Sequence, residues 1–589
     1  MRSILKTSLG TLIGLTVFLF FFLFLIVIIS VASSSSSLDV SIEPNSVIHL
    51  NFEGGIVDRT PEKGIESLMG FSDEKPKTIA LNDFLKAIDH AKKDKNIKGV
   101  LMDMNNVKGS WASLEEVRNK LIELKSEGKF IIAYADMYFN SSYYLASVAN
   151  EVYLTNNGEL VFNGLSRKLT FFKNALDKLG VEVQTFKVGK FKSAVEPFLL
   201  DKMSEANREQ SLSFLNSFYD KMLKGISEER KLDISLLDSL ADNLIIRNAE
   251  DAFQYKMVDS LLYKDQIIEI IKDKLGLDSN EDINTVGINK YHKSIKENVL
   301  DIDNKKIAVV FASGDIVDGK GDKESIGGAR LSKTIRKLRK NKDIKAMVLR
   351  VNSPGGSALA SEIIWREIQK TKEIMPVIVS MGNLAASGGY YISCLADTIV
   401  AQPNTITGSI GVFGLIPNMQ ELFEEKLGFS FDLVKTGKYG DLGSMTRKVT
   451  DSESAIIQKS VNEIYDLFLT RVSEGRKMDK DMVHEIAQGR VWTGVQAKEN
   501  GLVDVIGGLQ KAISIAAEKI NLEEYTITEY PQRKEKPWSF VLDAIESKTS
   551  SKNILKENMG KYYYQYKSLD DMSRTNTIQA RVPYFIEVY

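Results

Sequence analysis

The feature that most constrains this chain is that its 589 residues repeat. IHLNFEGGIVD at 48–58 is matched by IAVVFASGDIVD at 307–318. GVLMDMNNVKGS at 99–110 is matched by AMVLRVNSPGGS at 346–357, and NSSYYLASVANEVYLTNN at 140–157 by ASGGYYISCLADTIVAQPN at 386–404. Asn352 lies 247 positions after Asn105 and Tyr390 lies 247 after Tyr143, while the GKY at 437 follows the GKF at 189 by 248. Chance similarity does not hold so constant an offset over this distance, so the repeat predicts two copies of one domain. The length alone exceeds what a single core can fill.

Within each copy, short apolar runs alternate with helical spacing. In the second copy KAMVLRV (345–351), PVIVS (376–380) and DTIVAQ (397–402) read as strands, and ALASEIIWREIQKTK (358–372) reads as a helix. That alternation predicts an α/β fold whose strands are buried on both faces. SEANREQSLSFLNSFYDKMLKGI, starting at 204, and DSESAIIQKSVNEIYDLFLTRVSEGR, starting at 451, read as amphipathic helices.

Residues 11–32, TLIGLTVFLFFFLFLIVIISVA, contain no charge and are long enough to span a bilayer. Arg2 and Lys6 precede the run and predict a cytoplasmic N-terminus, with the body on the far side. The alternative is a cleaved signal peptide ending near SVASSSSS. The 77 basic and 78 acidic side chains balance, which excludes a global nucleic-acid-binding charge. Cys394 is the lone cysteine and is expected to be a buried small apolar residue. His49, His90, His292 and His484 have no metal-ligand spacing, so no metal and no cofactor is expected.

Four stretches carry candidate chemistry. MGNLAASGGYY (381–391) sets Ser387 before two glycines, either as a nucleophile beside free backbone N–H groups or as an ordinary helix N-cap. VNSPGGSAL (351–359) sets Gly355 and Gly356 in a strand-to-helix turn, where bare N–H groups suit a developing oxyanion. GKFKSAVEPF (189–198) sets Lys192 among Phe191, Ala194 and Val195. NTITGSIGVFG (404–414) offers Ser409 in a turn. Comparing the copies links them. Asn140 stands where the second copy has Ser387, Lys108 stands for Gly355, and Gly440 stands for Lys192. Each copy keeps what the other lacks, which predicts one site shared between them: a serine hydroxyl from the rear copy and a base from the front. No histidine is placed to serve, whereas a lysine can be a base once burial removes its proton.

In that order, the four stretches resemble the signal peptide peptidase A family in its long, two-domain form. The resemblance implies tandem ClpP/crotonase-like domains after an N-terminal transmembrane helix. It implies a membrane-anchored serine endopeptidase that degrades cleaved signal peptides and other apolar peptides. Its nucleophile would be Ser387, its general base Lys192, and Ser409 would orient the lysine. Gly356, with Gly355 and the Ser387 N–H nearby, matches the oxyanion region. It further implies a homotetramer in the inner membrane, with the catalytic body outside the cytoplasm. The expected division is 1–37 for the cytoplasmic N-terminus, anchor and spacer, 38–300 and 301–535 for the two domains, and 536–589 for a tail in which no chemistry is read. Two other readings are a coenzyme A enzyme, which would hold a thioester enolate with the same paired N–H groups, and an inactive scaffold.

Overall fold

A computed structural model describes residues 10–22, 41–52, 54–59, 78–105, 107–295, 305–532 and 578–581. Two sheets, one parallel and one parallel but for the strand Val491–Thr493, which runs antiparallel to Ile406–Gly408, repeat one plan. The front sheet runs Ser260–Leu261, Glu151–Leu160, Phe130–Tyr138, Ile97–Asp103, Ser46–Asn51, Thr285–Gly287. The rear sheet sets Val377–Ala386 beside Ile344–Ser353, Lys306–Ser313 and Thr526–Tyr530 in the same sense, with Thr398–Ala401 and Ile406–Gly408 along its other side.

Alternate residues of the rear strands face opposite layers, as the apolar runs predict. Ile307, Val309, Val348 and Ile378 pack under Leu509–Lys519, while Ala308, Val310, Leu349 and Val379 pack under Gly328–Arg339 and Ala358–Lys372. The front sheet does the same, with Val47 and Ile132 against Ile267 and Ile271, and Ile48 and Ile131 in the layer holding Ile88 and Leu121. Burial of both faces supplies the main stabilisation of such sheets.

The repeat holds in detail. Each copy has one 26-residue helix, Glu205–Arg230 and Asp451–Arg476. Ser204 and Thr450 cap them by accepting from a backbone N–H three residues on, and Lys231 and Lys477 close them with left-handed backbone. The Tyr143 hydroxyl donates to the Met257 carbonyl at 2.6 Å, and its counterpart Tyr390 donates to the Leu502 carbonyl at 3.0 Å.

A third sheet joins the copies. Its order is Ser325–Gly327, Asp315–Val317, Gly355–Ser357, Gln579–Arg581, Val412–Asn418, Glu182–Val188. The last strand belongs to the front copy and pairs antiparallel with the rear copy over seven residues. Arg350, 1 % exposed, adds a buried tie by donating to Asp58 and Glu116 of the front copy at 2.9 and 2.8 Å. The tail therefore contributes a strand that sequence reasoning did not foresee.

Residues 10–22 form a helix with Leu12, Phe18 and Phe22 exposed. Among the described residues no helix is long and apolar enough to cross a membrane, and the remainder of the 11–32 run lies outside them.

Candidate active site

Ser387 follows directly on the central rear strand Val377–Ala386, with φ 56° and ψ −115°, a backbone region that residues other than glycine seldom occupy. Its N–H donates to the Gly408 carbonyl at 2.7 Å. That corrects the expectation that this N–H helps hold an oxyanion, because it is already spent on the backbone. The Ser387 side chain makes no capping bond to Gly388–Tyr391, so the N-cap alternative also falls. The hydroxyl instead lies 2.7 Å from the amine of Lys192.

Lys192 arrives from the front copy just beyond the strand Glu182–Val188. Phe191 N–H donates to the Gln488 carbonyl at 2.9 Å and anchors the turn. Lys192 is 1 % exposed, Ser387 0 % and Ser409 1 %. The Lys192 amine also reaches the Ser409 hydroxyl at 3.1 Å and the Ser409 carbonyl at 3.2 Å. The Ser409 hydroxyl can donate to the Gly489 carbonyl at 3.3 Å, leaving its own oxygen to accept. A neutral amine has two N–H donors and one lone pair. In that form both N–H groups can go to Ser409 and the lone pair is left for the Ser387 hydroxyl, whose other acceptor is the Gly411 carbonyl at 3.4 Å; a charged amine would instead donate to Ser387 Oγ. Burial pushes the Lys192 pKa well below its ordinary 10.5, with no carboxylate set against that loss of hydration. Lys190, two residues earlier, is exposed and lies over the Phe191 ring at 5.1 Å.

The support around Lys192 was not legible in the sequence. Gln210, on the long front helix, donates to the Phe191 carbonyl at 3.0 Å and to Ser193 Oγ at 2.8 Å, and accepts from Val491 N–H at 3.3 Å. Buried Glu196 accepts from Ser204 Oγ at 2.6 Å and Asn207 Nδ2 at 2.8 Å, tying the same turn to the start of that helix. Gly489 has φ +78°, and a Cβ there would stand 2.6 Å from Lys192 Cβ and 2.7 Å from its Cα and N. Gly489→Ala is therefore expected to displace the amine and lower kcat by about 100-fold, the typical cost of a misplacement of about 1 Å. Steady-state kinetics beside a circular dichroism spectrum checks this, because the fold should persist.

Gly355 and Gly356 form the strand next to Ser387, with φ +99° and +150°. Gly355 N–H donates to Ser353 Oγ at 3.2 Å. A Cβ on Gly355 would come within 2.7 Å of the Gly388 nitrogen, so the residue after Ser387 lies against this strand. Sequence reasoning noted Gly388 as one of the two glycines after Ser387 but did not assign it an oxyanion role.

The front copy of the site is built differently. The Asn140 side-chain amide donates to Asn163 Oδ1 at 2.9 Å and to its carbonyl at 3.0 Å. Gly440, the counterpart of Lys192, sits in an exposed turn. Cys394 is fully buried, and burial pushes its thiol up to about 12. His90 pairs with Tyr291 at 2.8 Å and His484 with Tyr465 at 2.9 Å, and neither has a hydrogen bond to Ser387 or Lys192 among the described residues.

The profile of peptidase family S49 matches the chain twice, over residues 123–278 and 369–523. Protease 4 of Haemophilus influenzae is 36 % identical over 491 residues, covering 81 % of this chain and 79 % of the relative. Serine protease SPPA, chloroplastic, of Arabidopsis thaliana is 34 % identical over 442 residues, covering 73 % of this chain and 64 % of the relative. Superposition on a point mutant of ClpP1 from Listeria monocytogenes covers 35 % of this chain and 94 % of that one, at 16 % identity and a TM-score of 0.24, too low to bear on the fold. Both relatives are proteases, and neither the coenzyme A reading nor the inactive scaffold has a counterpart in them. With the profile matched in both copies and this identity over four-fifths of its length, the chain belongs to peptidase family S49 and is a serine protease.

Proposed function

We propose that this chain is a membrane-anchored endopeptidase with a Ser387–Lys192 dyad that degrades cleaved signal peptides and other apolar peptides outside the cytoplasm. The observation that carries the reading is the 2.7 Å contact between an amine and a hydroxyl that are both almost wholly excluded from water. The neutral Lys192 takes the Ser387 proton as Oγ attacks a peptide carbonyl carbon. The resulting ammonium then gives that proton to the leaving amine as the C–N bond breaks. Lys192 next deprotonates a water, which attacks the acyl carbon and releases Ser387. Ser409 orients the amine throughout. With the Gly355 N–H engaged by Ser353 Oγ, the oxyanion is assigned to the backbone N–H groups of Gly356 and Gly388. No cofactor enters the reaction.

The uncharged run 11–32 with Arg2 and Lys6 before it supports a single inner-membrane span with the body outside the cytoplasm. The resemblance supports ClpP/crotonase-like domains over 38–300 and 301–535. An exposed arm supports assembly into a homotetramer. The apolar side chains of the front segment 181–198 pack against the rear copy, with Val183, Val195 and Phe198 around Phe413 and Leu415. Its rear counterpart instead exposes Leu427, Phe429, Phe431, Leu433 and Val434, a surface suited to the front copy of another subunit.

A fluorophosphonate probe tests the dyad. Labelling is expected at Ser387, lost in Ser387→Ala and in Lys192→Ala, and retained in Lys190→Ala. Unchanged labelling in Lys192→Ala would remove the lysine from the mechanism.

A further inference from the structure

The tail strand Gln579–Arg581 lies inside the site just described. It pairs antiparallel with the glycine strand, setting Ser357 opposite Gln579, Gly356 opposite Ala580 and Gly355 opposite Arg581. Phe413 flanks it on the other side, opposite Gln579. A peptide that adds a strand to a sheet in this way is a common mode of extended-chain recognition. The Ala580 carbonyl oxygen stands 2.1 Å from where a Cβ on Gly355 would lie and 3.1 Å from where one on Gly388 would lie. The tail thus presents one carbonyl to the strand and to the residue immediately after the nucleophile, which is where a substrate carbonyl has to come. Ala580 is 1 % exposed, so its position admits a small side chain.

The next residue along the tail carries the specific signal. The Arg581 guanidinium donates to Asp315 Oδ1 at 2.9 Å, and both side chains are largely withdrawn from water, 10 % and 22 % exposed. Asp315 is held in place by its own strand, which pairs with Ser325–Gly327 on one side and with Gly356 on the other. The carboxylate therefore sits on the rigid edge of the groove rather than on the tail, and it remains when another peptide takes the tail's place.

We propose that Asp315 is a specificity-determining residue: it selects peptides bearing a basic side chain immediately C-terminal to the carbonyl presented to Gly355 and Gly388. The tail is the chain's own occupant of that strand position, and Arg581 fills the basic subsite. The proposal rests on the dyad reading above, because it takes the carbonyl beside Gly388 as the one Ser387 attacks.

The test uses the full-length protein and two fluorogenic peptides with identical apolar flanks, one containing Ala-Arg and one Ala-Glu at the same place. Wild type is expected to favour the Arg peptide in kcat/KM by about tenfold, the scale of one partly buried ion pair. Asp315→Asn is expected to bring the ratio near one, and Asp315→Lys to invert it. A ratio in Asp315→Lys within twofold of the wild-type value overturns the proposal. Arg581→Glu leaves Asp315 untouched and guards against misfolding of the Asp315 variants. It should free the subsite and lower KM for the Arg peptide severalfold, and an unchanged KM counts against a shared subsite. Ser387→Ala separates the two readings: if it cleaves both peptides at the wild-type rate, the dyad fails, whatever the ratio.

Discussion

Lys192→Met is expected to lower kcat by roughly 10⁴-fold, the scale seen when one member of a nucleophile–base pair is removed, and at the same time to raise the melting temperature at neutral pH. The two effects share one cause. Burial holds the Lys192 pKa well below 10.5 in the folded chain, whereas the unfolded chain leaves that amine in water. Between the two pKa values the unfolded state binds one more proton than the folded state, so stability rises with pH across this window. Within that window the folded protein forgoes a protonation that the unfolded chain gains, and below it the folded protein carries the buried charge at the same accumulated cost. Methionine has no proton to give up, so its advantage over wild type is largest at low pH and fades as pH approaches the ordinary lysine value. Thermal melts of both proteins across a pH series check the sign. Wild-type kcat/KM should climb as pH rises through the lowered pKa, and an acid optimum would name another base. Lys190→Ala, altering an exposed side chain, should leave both activity and its pH profile in place.

Arg350→Ala is expected to be the most destabilising single change among those considered, at about 3–5 kcal/mol, because it strands two buried carboxylates. Burial disfavours the charge on Arg350, but Glu116 and Asp58 outweigh it and hold its pKa above the ordinary arginine value. The guanidinium also donates to Ser380 Oγ at 2.9 Å and the Met381 carbonyl at 3.2 Å, on the strand that leads to Ser387. Losing it loosens the two copies at the place where their shared site must be held. Urea unfolding measures the cost. Adding Asp58→Asn and Glu116→Gln should recover most of it, since the penalty comes from uncompensated charge rather than from lost volume. Failure of that rescue would assign the cost to packing.

The pairing of Lys192 with Ser387 was legible because the sequence carries its own comparison. Two copies of one fold that diverge in opposite ways mark positions that repetition alone would have kept alike. The α/β class was legible for a simpler reason: apolar runs such as IAVVF at 307–311 alternate into two buried layers, and that periodicity is local. Features built from distant contacts left no such trace. Gln210 reaches both the lysine turn and Val491, 281 residues away. Gly489 looks like any turn glycine until Lys192 is seen packed against it. The Ser387 N–H is an available donor in one dimension and a spent one in three. The tail strand is three residues long and takes its form from the sheet it enters, so nothing within it announces a strand.

The amino-acid sequence by itself determined the duplication and the layered α/β plan and pointed to Lys192 and Ser387 as partners, because each is written in periodicity or in the contrast between copies. Only the tertiary structure decided that the amine and the hydroxyl, 195 residues apart, meet at 2.7 Å in a buried setting. It also decided which backbone donors are already engaged and that the tail lies across the glycine strand. Charge state, donor availability and occupancy of a groove depend on what surrounds each group, and those surroundings are assembled from segments that share no neighbourhood along the chain.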